Sequence, residues 1–145
     1  MPDVHSGKPM ALSGHCLCGG VRFRTAGPVR SSGHCHCESC RRAASSPVTT
    51  FFTVARERTD IGGESLRYYP SSPGVRRGFC GKCGSPMSFE TERRPDDIDL
   101  YVASLDEGHF VPIHEHWHWD ERVEWLHIVD ELPKGEGGLS SSASE

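Results

Sequence analysis

No run in this chain of 145 residues approaches the ~20 consecutive apolar residues of a membrane helix. The opening Met1-Pro2-Asp3-Val4-His5-Ser6-Gly7-Lys8-Pro9 lacks the basic end and apolar centre of a secretory signal. Positive charge is also short. Sixteen Lys and Arg face 20 Asp and Glu, a formal net charge of −4. That balance leaves no electrostatic footprint for a phosphate backbone, so no nucleic-acid partner is expected. Hydrophobic residues at 35% and charged residues at 25% are ordinary, which excludes wholesale disorder. The length suits one domain. The chain therefore reads as a soluble, cytoplasmic, single-domain protein.

Cysteine is too sparse for a disulfide scaffold. Seven of the 145 residues are cysteine, about 5% against the ~8–10% of short disulfide-stapled chains. The number is odd, so disulfides alone leave one thiol over. What the chain does have is clustering: Cys16-Leu17-Cys18, Cys35-His36-Cys37-Glu38-Ser39-Cys40 and Cys80-Gly81-Lys82-Cys83. Thiols two or three positions apart, with no export signal ahead of them, suit metal thiolates better than disulfides.

Residues 1–11 and 134–145 read as tails, the second because its Gly- and Ser-rich run has too little apolar surface to order itself. The domain is expected over 12–133. Residues 21–25 alternate apolar and polar, as a half-buried strand should. Further β-prone runs at 48–54, 66–69, 75–79, 87–89 and 98–102 recur between turn signals. Short, spaced strands of this kind predict a mainly β domain. Helix signals are thin. Residues 40–46 make one or two turns before Pro47, and 120–132, apolar at every third position, fits a short helix or a loop.

The metal arithmetic divides seven into four and three. A closed structural zinc site takes four protein ligands, and a site with an open position takes three. Cys80-Gly81-Lys82-Cys83-Gly84 is similar to a zinc knuckle, which supplies two ligands and needs two more. Cys16 and Cys18 supply them, clipping the N-terminal strands to the middle of the chain. Cys35, Cys37 and Cys40 come from one tight loop, which leaves one tetrahedral direction free for water or a substrate thiol. Two other readings stand beside this one: a histidine (His34, His36 or His114) closing the second site as purely structural, and a mixture of disulfides and free thiols. An iron–sulfur cluster fits poorly, since no four cysteines follow a ferredoxin spacing.

Taken in order, CxC, CHCxxCRR and RxFCxxCG resemble the glutathione-dependent formaldehyde-activating family, which includes the centromere-protein-V-like domains. The resemblance spans about 14–133 and takes in Arg77-Gly78-Phe79-Cys80, Pro112, Trp117, Trp125 and the ending Asp130-Glu131-Leu132-Pro133. It implies a mainly β fold, a β-tent-like arrangement of short antiparallel sheets stabilised by two zinc ions per chain. By the same resemblance, Cys16, Cys18, Cys80 and Cys83 hold the structural zinc, and Cys35, Cys37 and Cys40 hold the catalytic one. The implied activity is that of a carbon–sulfur lyase, S-(hydroxymethyl)glutathione synthase, joining glutathione to formaldehyde. Departures from the family pattern cluster where a pocket is shaped: Ala43-Ala44-Ser45-Ser46-Pro47 replaces a glycine, and Glu115 follows Pro112 where a histidine is common.

A zinc thiolate centre carries net negative charge and needs donors around it. Arg41 and Arg42, directly after Cys40, are the nearest cations in sequence and candidates for glutathione's carboxylates. The run His114-Glu115-His116-Trp117-His118-Trp119 would place three histidines on one face of a strand. That pattern fits a third metal site, or a packed strand on which His114 or Glu115 shuttles protons to the open zinc. The expected partner is a small thiol such as glutathione. The competing class is a non-catalytic, zinc-stabilised protein-binding module.

Overall fold

Runs of β-branched, aromatic and alternating side chains make strands the main regular structure of this chain. The computed structural model describes residues 11–138. Over them run β1 (Leu12–His15), β2 (Arg22–Thr25), β3 (Ser31–Cys35), α1 (Glu38–Ala44), β4 (Thr49–Ala55) and β5 (Thr59–Gly62). The order continues with β6 (Leu66–Ser72), β7 (Val75–Cys80), β8 (Pro86–Thr91), β9 (Asp97–Tyr101) and β10 (Glu115–Trp117). The expected N-terminal tail lies outside the described residues except for Ala11, as do residues 139–145 of the C-terminal one.

β1, β2 and β5 make a three-stranded sheet, and a seven-stranded sheet runs β10-β3-β4-β9-β8-β7-β6. The chain is thus mainly β, with antiparallel pairing throughout except at one edge. There β10 lies parallel to β3, with Trp117 opposite Cys35. No hairpin joins β9 to β10, so the long connection is free to bring β10 in from either direction. The outer side of β10 is covered too. Residues 134–137, expected in the tail, hydrogen-bond along it: Gly135 N donates to the His116 carbonyl at 3.0 Å and His118 N to that of Gly137 at 2.9 Å. An edge strand leaves N–H and C=O groups unpaired, and this segment satisfies them.

Each face of the large sheet buries its own core, because side chains alternate across it. One face packs Phe52, Val54, Ile98, Leu100 and Met87 with Leu12 and Phe23 of the small sheet. The other face packs Phe51, Phe89, Tyr101 and Trp117 around Cys35, Cys37 and Cys40. α1 carries Cys40 into this second core. It starts earlier than sequence suggests because Cys37 is its N-cap, the sulfur accepting the N–H of Cys40. It ends at Ser45, in the left-handed region at φ 50, just ahead of Pro47.

Residues 120–132 do not form an α-helix. One 3-10 turn, Trp119–Glu121, is followed by irregular chain with Trp125 and Val129 exposed. Apolar residues at every third position drift about 60° per step around a helix, so they never line up as a buried stripe.

Gly33 on β3 is where Trp117 crosses. A Cβ there would lie 2.5 Å from the indole Cε2, closer than any side chain tolerates. Gly33→Ala is expected to lower stability by about 1–3 kcal/mol through overpacking and to displace Trp117. Thermal melting and tryptophan fluorescence together check this. An unshifted melt with unchanged emission would show that the crossing is not tight.

Candidate functional site

Two strand ends and two turns bring the first cysteine group together. Cys16 and Cys18 leave β1 in a turn, and Cys80 and Cys83 leave β7 in the Gly81-Lys82 knuckle. Their four sulfurs lie within 4.8 Å of one another. Cys18 Sγ sits 3.7 Å from Cys16 Sγ and 3.7 Å from Cys80 Sγ. A tetrahedral zinc with Zn–S bonds of about 2.3 Å requires S···S edges of about 3.8 Å. The donor set and its spacing therefore fit zinc. Backbone donors serve the sulfurs: Val21 N reaches Cys16 at 3.2 Å, Gly20 N reaches Cys18 at 3.4 Å and Cys83 N reaches Cys80 at 3.4 Å. The Ser65 hydroxyl and the Cys83 N–H pull the Cys80 thiol down to about 7. The Ser85 hydroxyl and N–H pull Cys83 down to about 5. Thiols that ionise this readily are ready ligands.

The second group forms where β3 runs into α1. Cys35, Cys37 and Cys40 are all buried, with sulfurs within 4.8 Å of one another, and among the described residues no fourth ligand joins them. Hydrogen bonds from Cys35 and Cys40 hold the Cys37 thiol far below its usual range, while the bond to Cys37 pushes Cys35 well above it. Three thiols this close share one negative charge easily and carry more only with a cation among them. The chemistry of the set thus also fits a thiophilic metal.

Arg77 of β7 is the cation that faces this group, and sequence reasoning missed its part. Arg77 is 7% exposed, and its guanidinium donates to Cys40 Sγ from both terminal nitrogens, at 3.5 and 3.6 Å. It also donates to Ser39 Oγ at 3.2 Å and, through Nε, to Ser71 Oγ at 3.1 Å. The guanidinium carbon lies 4.9 Å from the centre of the Phe89 ring. Burial works against its charge, and the Cys40 sulfur more than offsets that. One signal was available: an arginine inside the buried run 75–80 needs an anion. The cations chosen from sequence are engaged elsewhere. Arg41 Nε donates to the His36 carbonyl at 3.0 Å, and Arg42 Nε pairs with Glu38 at 2.9 Å in solvent.

The histidines gather away from the thiols. His34 and His36 flank Cys35 in sequence, so strand alternation sets them on the opposite face. His36 Nε2 meets His116 Nδ1 at 2.8 Å, and His116 Nε2 meets Asp130 Oδ2 at 2.8 Å. Burial and the neighbouring His116 lower the His36 imidazole to about 4. Neither His34 nor His36 closes the second site, and exposed His114 does not join it either. Nor do His114, His116 and His118 make a third metal site among the described residues. His116 faces His36 and Asp130, and His118 Nδ1 lies 3.4 Å from Glu121. Glu115 shares the Trp117 face of β10, opposite Gly33, and is outside the thiol group.

Beside the second group is a cavity lined by Cys35, Cys40, Phe51, Phe89, Arg94, Asp99 and Trp117. It measures about 10 Å³, enough for one molecule the size of water. Asp99 is held there by Arg94 at 2.7 Å and by the Thr53 hydroxyl at 2.6 Å. The Trp117 indole N–H is buried with no hydrogen-bond partner among the described residues. A larger groove of about 590 Å³, between residues 70–76 and 90–97, touches neither cysteine group. Its Arg76 is already paired with Glu90 at 3.1 Å.

Comparison with known proteins agrees with this arrangement. No curated protein matches the chain. A Rhodobacter sphaeroides protein of known crystal structure shares the fold, with 22% identity and a TM-score of 0.55 over 68% of this chain and 90% of that one. The family model described as glutathione-dependent formaldehyde-activating enzyme matches residues 11–120. That stretch contains both cysteine groups, Arg77 and all but the last turns of the fold. The chain is therefore a member of the glutathione-dependent formaldehyde-activating family.

Proposed function

We propose that the Cys35, Cys37 and Cys40 group is a zinc site with one open position, and that the protein is a carbon–sulfur lyase. It joins a small thiol, glutathione or a relative, to formaldehyde or a similarly small electrophile. One observation carries the reading: three converging thiols without a fourth ligand among the described residues. The four-cysteine group is the second, structural zinc site, giving two zincs per chain. Bound zinc supplies the means to ionise a thiol at neutral pH. The remaining work falls to the chain.

The three cysteines would hold the metal that takes the substrate sulfur, next to a cavity whose volume of about 10 Å³ must widen to admit a one-carbon carbonyl beside that sulfur. The new C–S bond takes its electron pair from that sulfur. The C=O π pair moves to oxygen, which takes up one proton, equal to the one the thiol lost on binding. The Trp117 N–H, buried without a partner among the described residues, would donate to that oxygen. Glu115 or His114, at the start of β10, would pass the proton. Arg41 and Arg42, just beyond Cys40 on α1, would offer their terminal nitrogens to glutathione's carboxylates.

The test compares two ligands differing by one methyl group. Titration calorimetry should show glutathione binding at least about tenfold more tightly than S-methylglutathione, since only the free thiol can become a thiolate. Formaldehyde–glutathione exchange, followed by NMR, should run above its uncatalysed rate. Equal binding of both ligands with no acceleration would favour the binding-module reading instead.

A further inference from the structure

The three sulfurs of the second group differ in what surrounds them. Cys37 accepts the N–H of Cys40 at 3.3 Å and lies 3.4 Å from the Ser39 hydroxyl. Cys40 receives both terminal nitrogens of Arg77. A thiolate that accepts hydrogen bonds, above all from a cation, holds its lone pairs more tightly and is a poorer nucleophile. A site that activates a substrate thiolate among three protein thiolates faces a problem of choice. Any of four sulfurs can attack the electrophile, and attack by a protein sulfur would alkylate the site.

We propose that Arg77 is the positioning residue that makes Cys40 a spectator sulfur, so that the electrophile is left to the substrate thiolate. The inference rests on the reading of the three cysteines as a metal site. Three thiolates and a divalent cation leave one negative charge, which the buried guanidinium balances. A thiolate arriving from substrate brings a fresh negative charge with no such donor, and so outranks Cys37 and Cys40 as a nucleophile. Arg77 also grips Ser39 and Ser71, which keeps the guanidinium on Cys40 rather than on the incoming ligand. Cys35 and Cys40 both line the cavity beside the site, and Cys40 is the one that receives a cationic donor.

The experiment uses the full chain reconstituted with cobalt(II), and compares wild type with Arg77→Met and Arg77→Lys. Metal content is measured first. If wild type takes up no metal at the Cys35, Cys37 and Cys40 group, the metal-site reading itself fails. If it does, Arg77→Met should shift the sulfur-to-cobalt charge-transfer band to lower energy, because removing the donors raises the sulfur lone pairs. Iodoacetamide labelling, mapped by mass spectrometry, should then modify Cys40 about tenfold faster or more than in wild type. Arg77→Lys, which keeps one cationic donor, should move both readouts only part of the way. An unshifted band overturns the proposal. Faster labelling without a shift does so too, since that would mean improved access alone. Should Arg77→Met fail to fold, Arg77→Lys is read by the same two criteria, and an unshifted band there overturns the proposal equally.

Discussion

Cys16→Ser should leave the protein largely unfolded at room temperature, with metal content reduced from about two ions per chain. Cys16 is 2% exposed, and its sulfur takes the Val21 N–H at 3.2 Å. It belongs to the same core as Val21, Phe23 and Cys80. The four-cysteine group joins β1 to the end of β7, and so clips the small sheet to the large one. Structural zinc in small domains contributes about 10–16 kcal/mol of apparent binding free energy. A whole domain is stable by only about 5–15 kcal/mol, so even half that loss leaves little fold. Circular dichroism with metal analysis decides the matter. A variant as stable as its parent, with two metals retained, would sink the assignment of this group as structural.

Cys37→Ser should have the opposite profile, with the fold kept and the second metal lost. Serine is among the best N-cap residues, so its hydroxyl can replace the Cys37 sulfur as acceptor at the start of α1. The first group uses none of these residues. Losing one of three metal ligands, however, should weaken binding by more than the ~10–100-fold that loss of an outer partner costs. Metal content should fall from two per chain to one. The preference for glutathione over its S-methyl form should vanish, and exchange with formaldehyde should drop to the uncatalysed rate. Retention of both metals and of the thiol preference in this variant would remove Cys37 from the site.

Sequence disclosed the parts whose information is local. The three cysteine groups are each written within six residues, so their ligand character needs no fold to be seen. β4 was legible because β-branched and aromatic residues fill it, and β6 and β7 because such residues recur in them between turn signals. β1, β3 and β5 were not. They are four or five residues long, and Ser31-Ser32-Gly33-His34 carries almost no apolar signal. Gly33 is there to let Trp117 pass, a demand made by a strand more than 80 positions away. The same holds for Arg77. Its role depends on β7 lying under α1, whereas the sequence places Arg41 and Arg42 nearest to Cys40. Residues 134–137 look like a tail by composition, but their contribution is backbone hydrogen bonds to an edge strand, to which composition is blind.

β7 serves both cysteine groups, with Arg77 reaching Cys40 on one face and Cys80 joining the four-cysteine group on the other. Side chains alternate along a strand, so residues three apart point to opposite sides. This makes the distance between Arg77 and Cys80 a matter of parity. One residue inserted between them would turn both to the same face, pulling either the guanidinium from its sulfur or the cysteine from its cluster. The turn is avoided only if the extra residue is absorbed as a β-bulge, as on β8, where Met87 and Phe89 lie two apart yet in opposite cores. Length variation in this segment, whether natural or engineered, must thus either keep the parity or be absorbed as a bulge.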